Sequence, residues 1–255
     1  MPDPPQPSAY SFLLLAAIIV SGFLLWRLRR KDADLLTIYL ITLAGAFLGA
    51  KIVYLLAEGW MFWDHPQRWQ IWLTGKTILG ALLFGYPAAE LAKHFLGYRR
   101  VTGDWFALAV IPGIMLGRIG CLTQGCCNGQ ECAPAWWTVR DAAGIDRWPS
   151  VPVEMIFNLL AWSILFILHR RGQQRGQLFH LYLMAYGIFR FAHEFIRATP
   201  RVQGVWSGYH AAAAAVFLLG LWGYRRRRRQ SPSSPSAANA ADCKTAAIVS
   251  APANE

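Results

Sequence analysis

Long apolar runs recur along this chain, and nearly every polar interruption between them is basic on one side and not on the other. No other feature limits the possible folds so strongly. A backbone inside lipid must satisfy its own N–H and C=O groups, so a run of about 20 apolar residues can cross only as a helix. Seven runs reach that length, at 9–28, 35–57, 77–97, 104–124, 151–169, 177–197 and 206–224. The first, second, fifth and seventh are nearly uninterrupted, whereas the third, fourth and sixth carry Gly, Pro or ionisable residues. The first run has Asp3 as its only preceding charge and no small-residue cleavage site behind it, so it is expected to remain as a span rather than leave as a signal peptide.

The connections sort by charge. Arg27, Arg29, Arg30 and Lys31 follow the first run, Lys93, Arg99 and Arg100 the third, Arg170, Arg171 and Arg175 the fifth, and residues 225–229 are all arginine. The alternate connections hold only Arg68, Lys76, Arg140, Arg147, Arg197 and Arg201, so the balance is fifteen against six. Basic loops stay on the cytoplasmic side. The expected architecture is an all-α membrane protein of seven transmembrane helices with its N-terminus outside and its C-terminus cytoplasmic. Residues 1–8 form an external tail, 9–224 the membrane domain, and 225–255 a basic and then Ser/Ala/Pro-rich cytoplasmic tail expected to be disordered. Composition agrees: 55% of residues are hydrophobic and 15% charged, against roughly 25% charged in soluble domains. The net charge of +11 is read as topology rather than as affinity for nucleic acid.

Ionisable residues within spans are costly and point to function. Arg118 lies about one turn inside the outer end of the fourth run, flanked by Gly117 and Gly120 in GRIG, as if something must approach closely. In the sixth run, FHLYLMAYGIFRFAHEFIR, Tyr186, Arg190, Glu194 and Arg197 fall at i, i+4, i+8 and i+11, on one helical face, with His193 beside it. Arg190 can pair with Glu194, which leaves cation in surplus, and Arg grips phosphate through parallel hydrogen bonds. Glu154, one turn into the fifth run, can orient an arginine, take a proton, or simply favour a helix N-terminus. Lys51 lies late in the second run, and Glu90 is placed to pair with Lys93 or His94 near the inner face. Lys51, Arg118, Glu154, Arg190, Glu194 and Arg197 therefore converge on the outer half of the bilayer, as a site for a lipid phosphate would.

These residues carry a resemblance. GRIGCL at the end of the fourth run, WPSVPVE before the fifth, GAFLGAKIVY in the second and above all YGIFRFAHEFIR in the sixth are similar to motifs of the prolipoprotein diacylglyceryl transferases, over roughly residues 10–224. That resemblance implies a seven-span enzyme of the bacterial plasma (inner) membrane, with its site facing the outer leaflet. Such an enzyme moves the diacylglyceryl group of phosphatidylglycerol onto the lipobox cysteine of a preprolipoprotein signal peptide, without metal or other cofactor. It implies catalytic roles for Arg118, Arg190, Glu154 and Glu194. It further implies binding by Lys51, Tyr186, Arg197, Gly117, Gly120 and Gly129. The chain also departs from the family. The third run reads GKTILGALLFG where the family carries a histidine. Cys121 and Cys126 stand for Asn and Glu, and Trp148, Val151 and Val153 for His, Gln and Tyr. The alternatives are a paralogous membrane transferase with another acceptor, or a non-catalytic lipid-binding membrane protein. A transporter is disfavoured because no inverted repeat relates the two halves.

Cys121, Cys126, Cys127 and Cys132 are spaced C-x4-C-C-x4-C, unlike the common zinc patterns. One or two disulfides bracing the 121–132 loop are expected, with a thiol role and a metal as alternatives.

Overall fold

The structure, a computed structural model, describes residues 32–202 and 204–230. The first apolar run, the external tail and the segment after residue 230 lie outside the described residues. The described chain is mainly helical: α1 (Ala33–Ala57), α2 (Arg68–Thr74), α3 (Ile78–Phe95), α4 (Gly103–Thr123), α5 (Ser150–Arg170), α6 (Leu178–Glu194) and α7 (Gly208–Gln230). A one-turn 3-10 helix (Gly59–Phe62) follows α1. The second to seventh apolar runs each correspond to one long helix. Three of these, α1, α4 and α5, are long and apolar enough to cross a membrane. They carry Leu40, Phe47, Leu48, Leu56, Trp105, Ile156, Leu159, Leu160 and Ile164 outward and exposed, a surface that suits lipid rather than water.

α1 begins at Asp32, whose Oδ1 accepts the Leu35 N–H at 3.2 Å and so satisfies one of the helix's free donors. It then packs on α3 through glycines. A Cβ at Gly49 would meet the Cγ of Phe84 at 2.6 Å, and one at Gly80 would meet the Gly49 carbonyl carbon at 2.8 Å. The two backbones touch because neither carries a side chain there, the small-residue contact typical of membrane helices. At the far end of the bundle Asp104 on α4 accepts the N–H groups of Gly176 at 2.7 Å and Leu178 at 3.2 Å, capping α6 from a neighbouring helix.

α6 is the central element, with ten of its seventeen residues buried. It is walled by protein, which explains how it tolerates His180, Arg190, His193 and Glu194. Leu178, Leu183 and Tyr186 join Leu79, Leu82, Ile111, Leu165 and Val216 in one apolar core. Its helix stops at Glu194, not at residue 197 as the periodicity predicts. The chain turns there, with Phe195 N–H bonding Ala192 C=O and Ile196 N–H bonding His193 C=O.

Between α4 and α5 lies an element absent from the sequence reading, a hairpin of β1 (Val139–Arg140) and β2 (Asp146–Arg147), paired antiparallel with Val139 opposite Arg147. Its turn is organised by Asp141, which accepts from Ala143 N–H and Ile145 N–H while its other oxygen faces the Arg147 guanidinium. The Arg147 hydrogen bond, with the backbone donors, holds the Asp141 carboxyl below the usual carboxylate value.

Two outcomes follow. Gly80→Ala forces a methyl into the α1–α3 contact, and overpacking of this kind costs about 1–3 kcal/mol. The thermal melt of the detergent-solubilised variant should fall accordingly, and an unchanged melt would contradict the close contact. Because folding depresses the Asp141 pKa, its contribution is complete at neutral pH and disappears as pH falls through the folded value, below 3.8. Asp141→Asn should make the Ala143 and Ile145 amides exchange faster at pH 7, and this difference from the parent should vanish in acid.

Candidate functional site

The ends of four helices meet at one end of the bundle. α4 delivers Arg118 from five residues before its end, and α5 delivers Glu154 as its fifth residue. α6 delivers Tyr186, Arg190 and Glu194, and Ser207 and His210 lie at the start of α7. Glu154 and Glu194 are completely buried, and Arg118, Arg190 and Arg197 are 6%, 4% and 7% exposed. An unpaired charge in such a place would be very costly, so the network around each carboxylate decides whether the site is tenable.

Glu154 is the hub. Arg118 Nη2 lies 2.8 Å from its Oε1 and 2.7 Å from its Oε2, so a single nitrogen faces both oxygens. The Tyr186 hydroxyl donates to Oε1 at 2.8 Å, and Arg197 Nη1 stands 4.0 Å from Oε2. Behind it, Asn158 Nδ2 donates to the Glu154 carbonyl at 2.9 Å, and Asn158 Oδ1 accepts from the Tyr182 hydroxyl at 2.8 Å. Glu194 is the second hub. Its Oε2 is 2.7 Å from Arg190 Nη1 and 3.8 Å from Arg197 Nε, and its Oε1 accepts from Thr199 Oγ1 at 2.5 Å and Ser207 Oγ at 3.3 Å. Ser207 Oγ in turn lies 3.1 Å from His210 Nδ1.

The charges do not cancel. Three guanidinium groups share two carboxylates: Arg190 Nη1 and Arg197 Nε both face Glu194 Oε2, and Arg118 Nε is buried without an acceptor among the described residues. Arg118 and Arg190 each meet their carboxylate end-on rather than with the two parallel bonds an arginine can make, so donors are left over. A buried cluster with one net positive charge and free N–H groups is complementary to an anion carrying several acceptor oxygens. His193 lies at the same end, 3% exposed and stacked on Phe189 with ring centroids 4.9 Å apart. Both its ring nitrogens lack a partner among the described residues.

The loop between α4 and α5 is fastened to this cluster. Gly129 forms a backbone bridge with Arg197, and Ala198 N–H bonds Asn128 C=O at 3.2 Å. A Cβ at Gly129 would collide with the backbone of Trp148, whose N–H bonds Gln130 C=O at 2.9 Å. Cys121 approaches from α4, its Sγ 3.8 Å from Arg118 Nη1. All four loop cysteines are free thiols, so the expected disulfides are not formed. Hydrogen bonds from the Cys121 and Cys126 thiols, and then the Arg197 and Arg118 charges, hold the Cys127 thiol well below its usual pKa, while Cys126 is pushed up.

Several expectations need correction. Lys51 does not join the cluster. Its ammonium donates to the carbonyls of Trp72, Leu73 and Gly75 at 2.6, 2.7 and 2.9 Å, closing the C-terminal end of α2, and an ammonium has only three donors. Gly117 is exposed, and a Cβ there would meet no atom of the described residues within 4 Å, so the space beside it is open. Gly120 is buried beside Arg118, and its carbonyl accepts from Thr123 Oγ1. Arg197 reaches the cluster from the turn after α6 rather than from the helical face. Glu90 pairs with Lys93 at 2.7 Å, away from this site, as its position suggested. Thr199, Ser207, His210, Tyr182 and Asn158 were missed. The last two were findable, since Asn158 follows Glu154 and Tyr182 precedes Tyr186 by four residues, so each shares its neighbour's helical face.

Comparison with known proteins places the chain. A family model described as prolipoprotein diacylglyceryl transferase matches residues 4–236. The chain is similar to phosphatidylglycerol–prolipoprotein diacylglyceryl transferase 2 of Clostridium perfringens, 26% identical over 76% of this chain and 80% of that one. It is similar to the phosphatidylglycerol–prolipoprotein diacylglyceryl transferase of Dehalococcoides mccartyi, 28% identical over 72% and 75%. The enzyme of that name from Nitratidesulfovibrio vulgaris is 30% identical over 70% and 72%.

Removing one partner of a buried ion pair strands the other charge and costs about 3–5 kcal/mol, whereas replacing both with apolar groups is far less costly. Glu154→Leu should therefore melt well below the parent. Arg118→Met combined with Glu154→Leu should recover much of that loss. Additive losses in the double variant would show that the two side chains are not energetically coupled.

Proposed function

This chain belongs to the prolipoprotein diacylglyceryl transferase family, and from that we propose that it transfers the diacylglyceryl group of phosphatidylglycerol to the lipobox cysteine of a preprolipoprotein signal peptide. The observation that carries the reading is the buried surplus of three guanidinium groups over two carboxylates at one end of the bundle. The phosphate of phosphatidylglycerol supplies the missing charge and the acceptor oxygens.

In this reading the lipid phosphate seats against Arg118, Arg190 and Arg197, while Glu154 and Glu194 hold the guanidinium planes and Tyr186 fixes Glu154. The peptide thiol loses its proton, and the thiolate attacks the glyceryl carbon bonded to the phosphate oxygen. A C–S bond forms, the C–O bond breaks, and glycerol phosphate leaves with the electron pair. Charge grows on the departing phosphate, and preorganised arginines stabilise it there. His193 takes the thiol proton, because both carboxylates are engaged by arginines and its ring nitrogens are not. It thereby stands in for the family histidine missing from the third run.

The same reading sets the chain in the bacterial plasma membrane with seven spans, its N-terminus and residues 1–8 outside, and 225–255 in the cytoplasm. The site end then faces the outer leaflet. Supporting this orientation, Lys93, Arg99, Arg100, Arg170, Arg171, Arg175 and residues 225–229 all lie at the end of the helices remote from Glu154.

The purified protein, given phosphatidylglycerol and a lipobox peptide, should place lipid on the peptide cysteine, and Arg190→Ala should abolish this. Glycerol phosphate should appear in equal amount. No transfer with wild-type protein would overturn the proposal. His193→Gln should lose rate at neutral pH and regain most of it near the thiol's own pKa of about 8.5, where no base is needed. A variant with an unshifted pH profile would remove His193 from the mechanism.

A further inference from the structure

The thiols behind Arg118 are gathered by the way α4 ends. Gly125 adopts φ +59°, its N–H bonds Leu122 C=O at 3.2 Å, and Cys126 N–H bonds Cys121 C=O at 3.1 Å. This pair of bonds is the closure that helices make on a left-handed residue, and it lays the residue after the glycine over the third-last helical residue. That contact is ordinarily apolar. Here both members are cysteines. Cys127 then adopts φ +63°, an uncommon conformation for a residue with a side chain, and contributes a third thiol. The three sulfurs lie within 4.8 Å of one another, and all are unoxidised.

We propose that Cys121, Cys126 and Cys127 form a binding site for one soft metal ion, best suited to three-coordinate copper(I). Thiolate–metal bonds of about 2.3 Å place three sulfurs around a central ion about 4 Å apart, a spacing that the observed cluster reaches with small side-chain adjustments. The donor set is sulfur alone, since no histidine or carboxylate of the described residues completes the group. Thiolate ligands select copper(I) among the available first-row ions, and zinc would want a fourth ligand. Each thiol gives its proton to water on binding, with no change of oxidation state, and the Arg118 guanidinium, 3.8 Å from Cys121 Sγ, stands beside the thiolates that remain. Cys126 is exposed and provides the point of entry. The site does not depend on transferase activity.

The test uses the full chain in detergent, reduced and without oxygen, titrated with copper(I) against a chromogenic chelator. One ion should bind per chain, with an absorption spectrum showing three sulfur neighbours. Cys126→Ser and Cys127→Ser should each lose the ion to the chelator while melting, metal-free, at the parent temperature. Cys132→Ser combined with Cys243→Ser should bind as the parent does. Absence of stoichiometric uptake, or uptake that survives Cys126→Ser with Cys127→Ser, would overturn the site. So would a count of three rather than five free thiols in protein purified without oxidant. A zinc(II) titration run alongside that proves tighter and depends on Cys132 would overturn the copper assignment.

Discussion

The buried polar cluster of this molecule depends on a carboxylate, Glu154, held where no water can reach it. It joins Arg118 of α4 to Tyr186 of α6 and stands within 4.0 Å of Arg197 beyond that helix. Three separate stretches of chain therefore meet at one pair of oxygens. Burying a carboxylate this deeply is unfavourable unless cations come with it. Here more cation comes than the two carboxylates can neutralise. The excess makes the cluster receptive to an anion rather than merely stable, and it distinguishes this network from a structural ion pair such as Lys93 with Glu90, where one charge meets one charge and the account closes.

The helical scaffold serves that arrangement by sorting what each helix faces. α1, α4 and α5 turn large apolar side chains outward. α6, buried on most of its surface, carries the polar machinery among them. Gly49 and Gly80 let α1 approach α3 backbone to backbone, and Asp104 secures the start of α6 at the opposite end from Glu194. Anchoring a helix at one end lets its other end hold Arg190 and Glu194 in a defined register. The positions of Arg190 and Glu194 are then set by helix geometry and not by a loop.

Much of this was legible because helices write their neighbours at fixed intervals. Arg190 and Glu194, four apart, could be paired from sequence, and they do pair. Glu154 was recognisable as a polar residue one turn into an apolar run. What escaped lies where that periodicity ends. Arg197 follows the helix by three residues, and the turn at Phe195 redirects it toward Gly129. Lys51 occupies an apparently convergent position, but the carbonyl ends of a seven-residue helix claim all its donors. The hairpin between α4 and α5 consists of two-residue strands, too short for any alternation to show. Ser207 and Thr199 reach Glu194 from loops, where sequence spacing carries no directional information.

Gly129 has a further consequence. Its bare backbone is wedged against Trp148 on one side and bridged to Arg197 on the other. The loop bearing Cys126 and Cys127 is therefore not a flap hinged at a distance but a lever whose short arm is the arginine's own main chain. A displacement of the loop at Gly129 reaches the Arg197 main chain through a single backbone bridge.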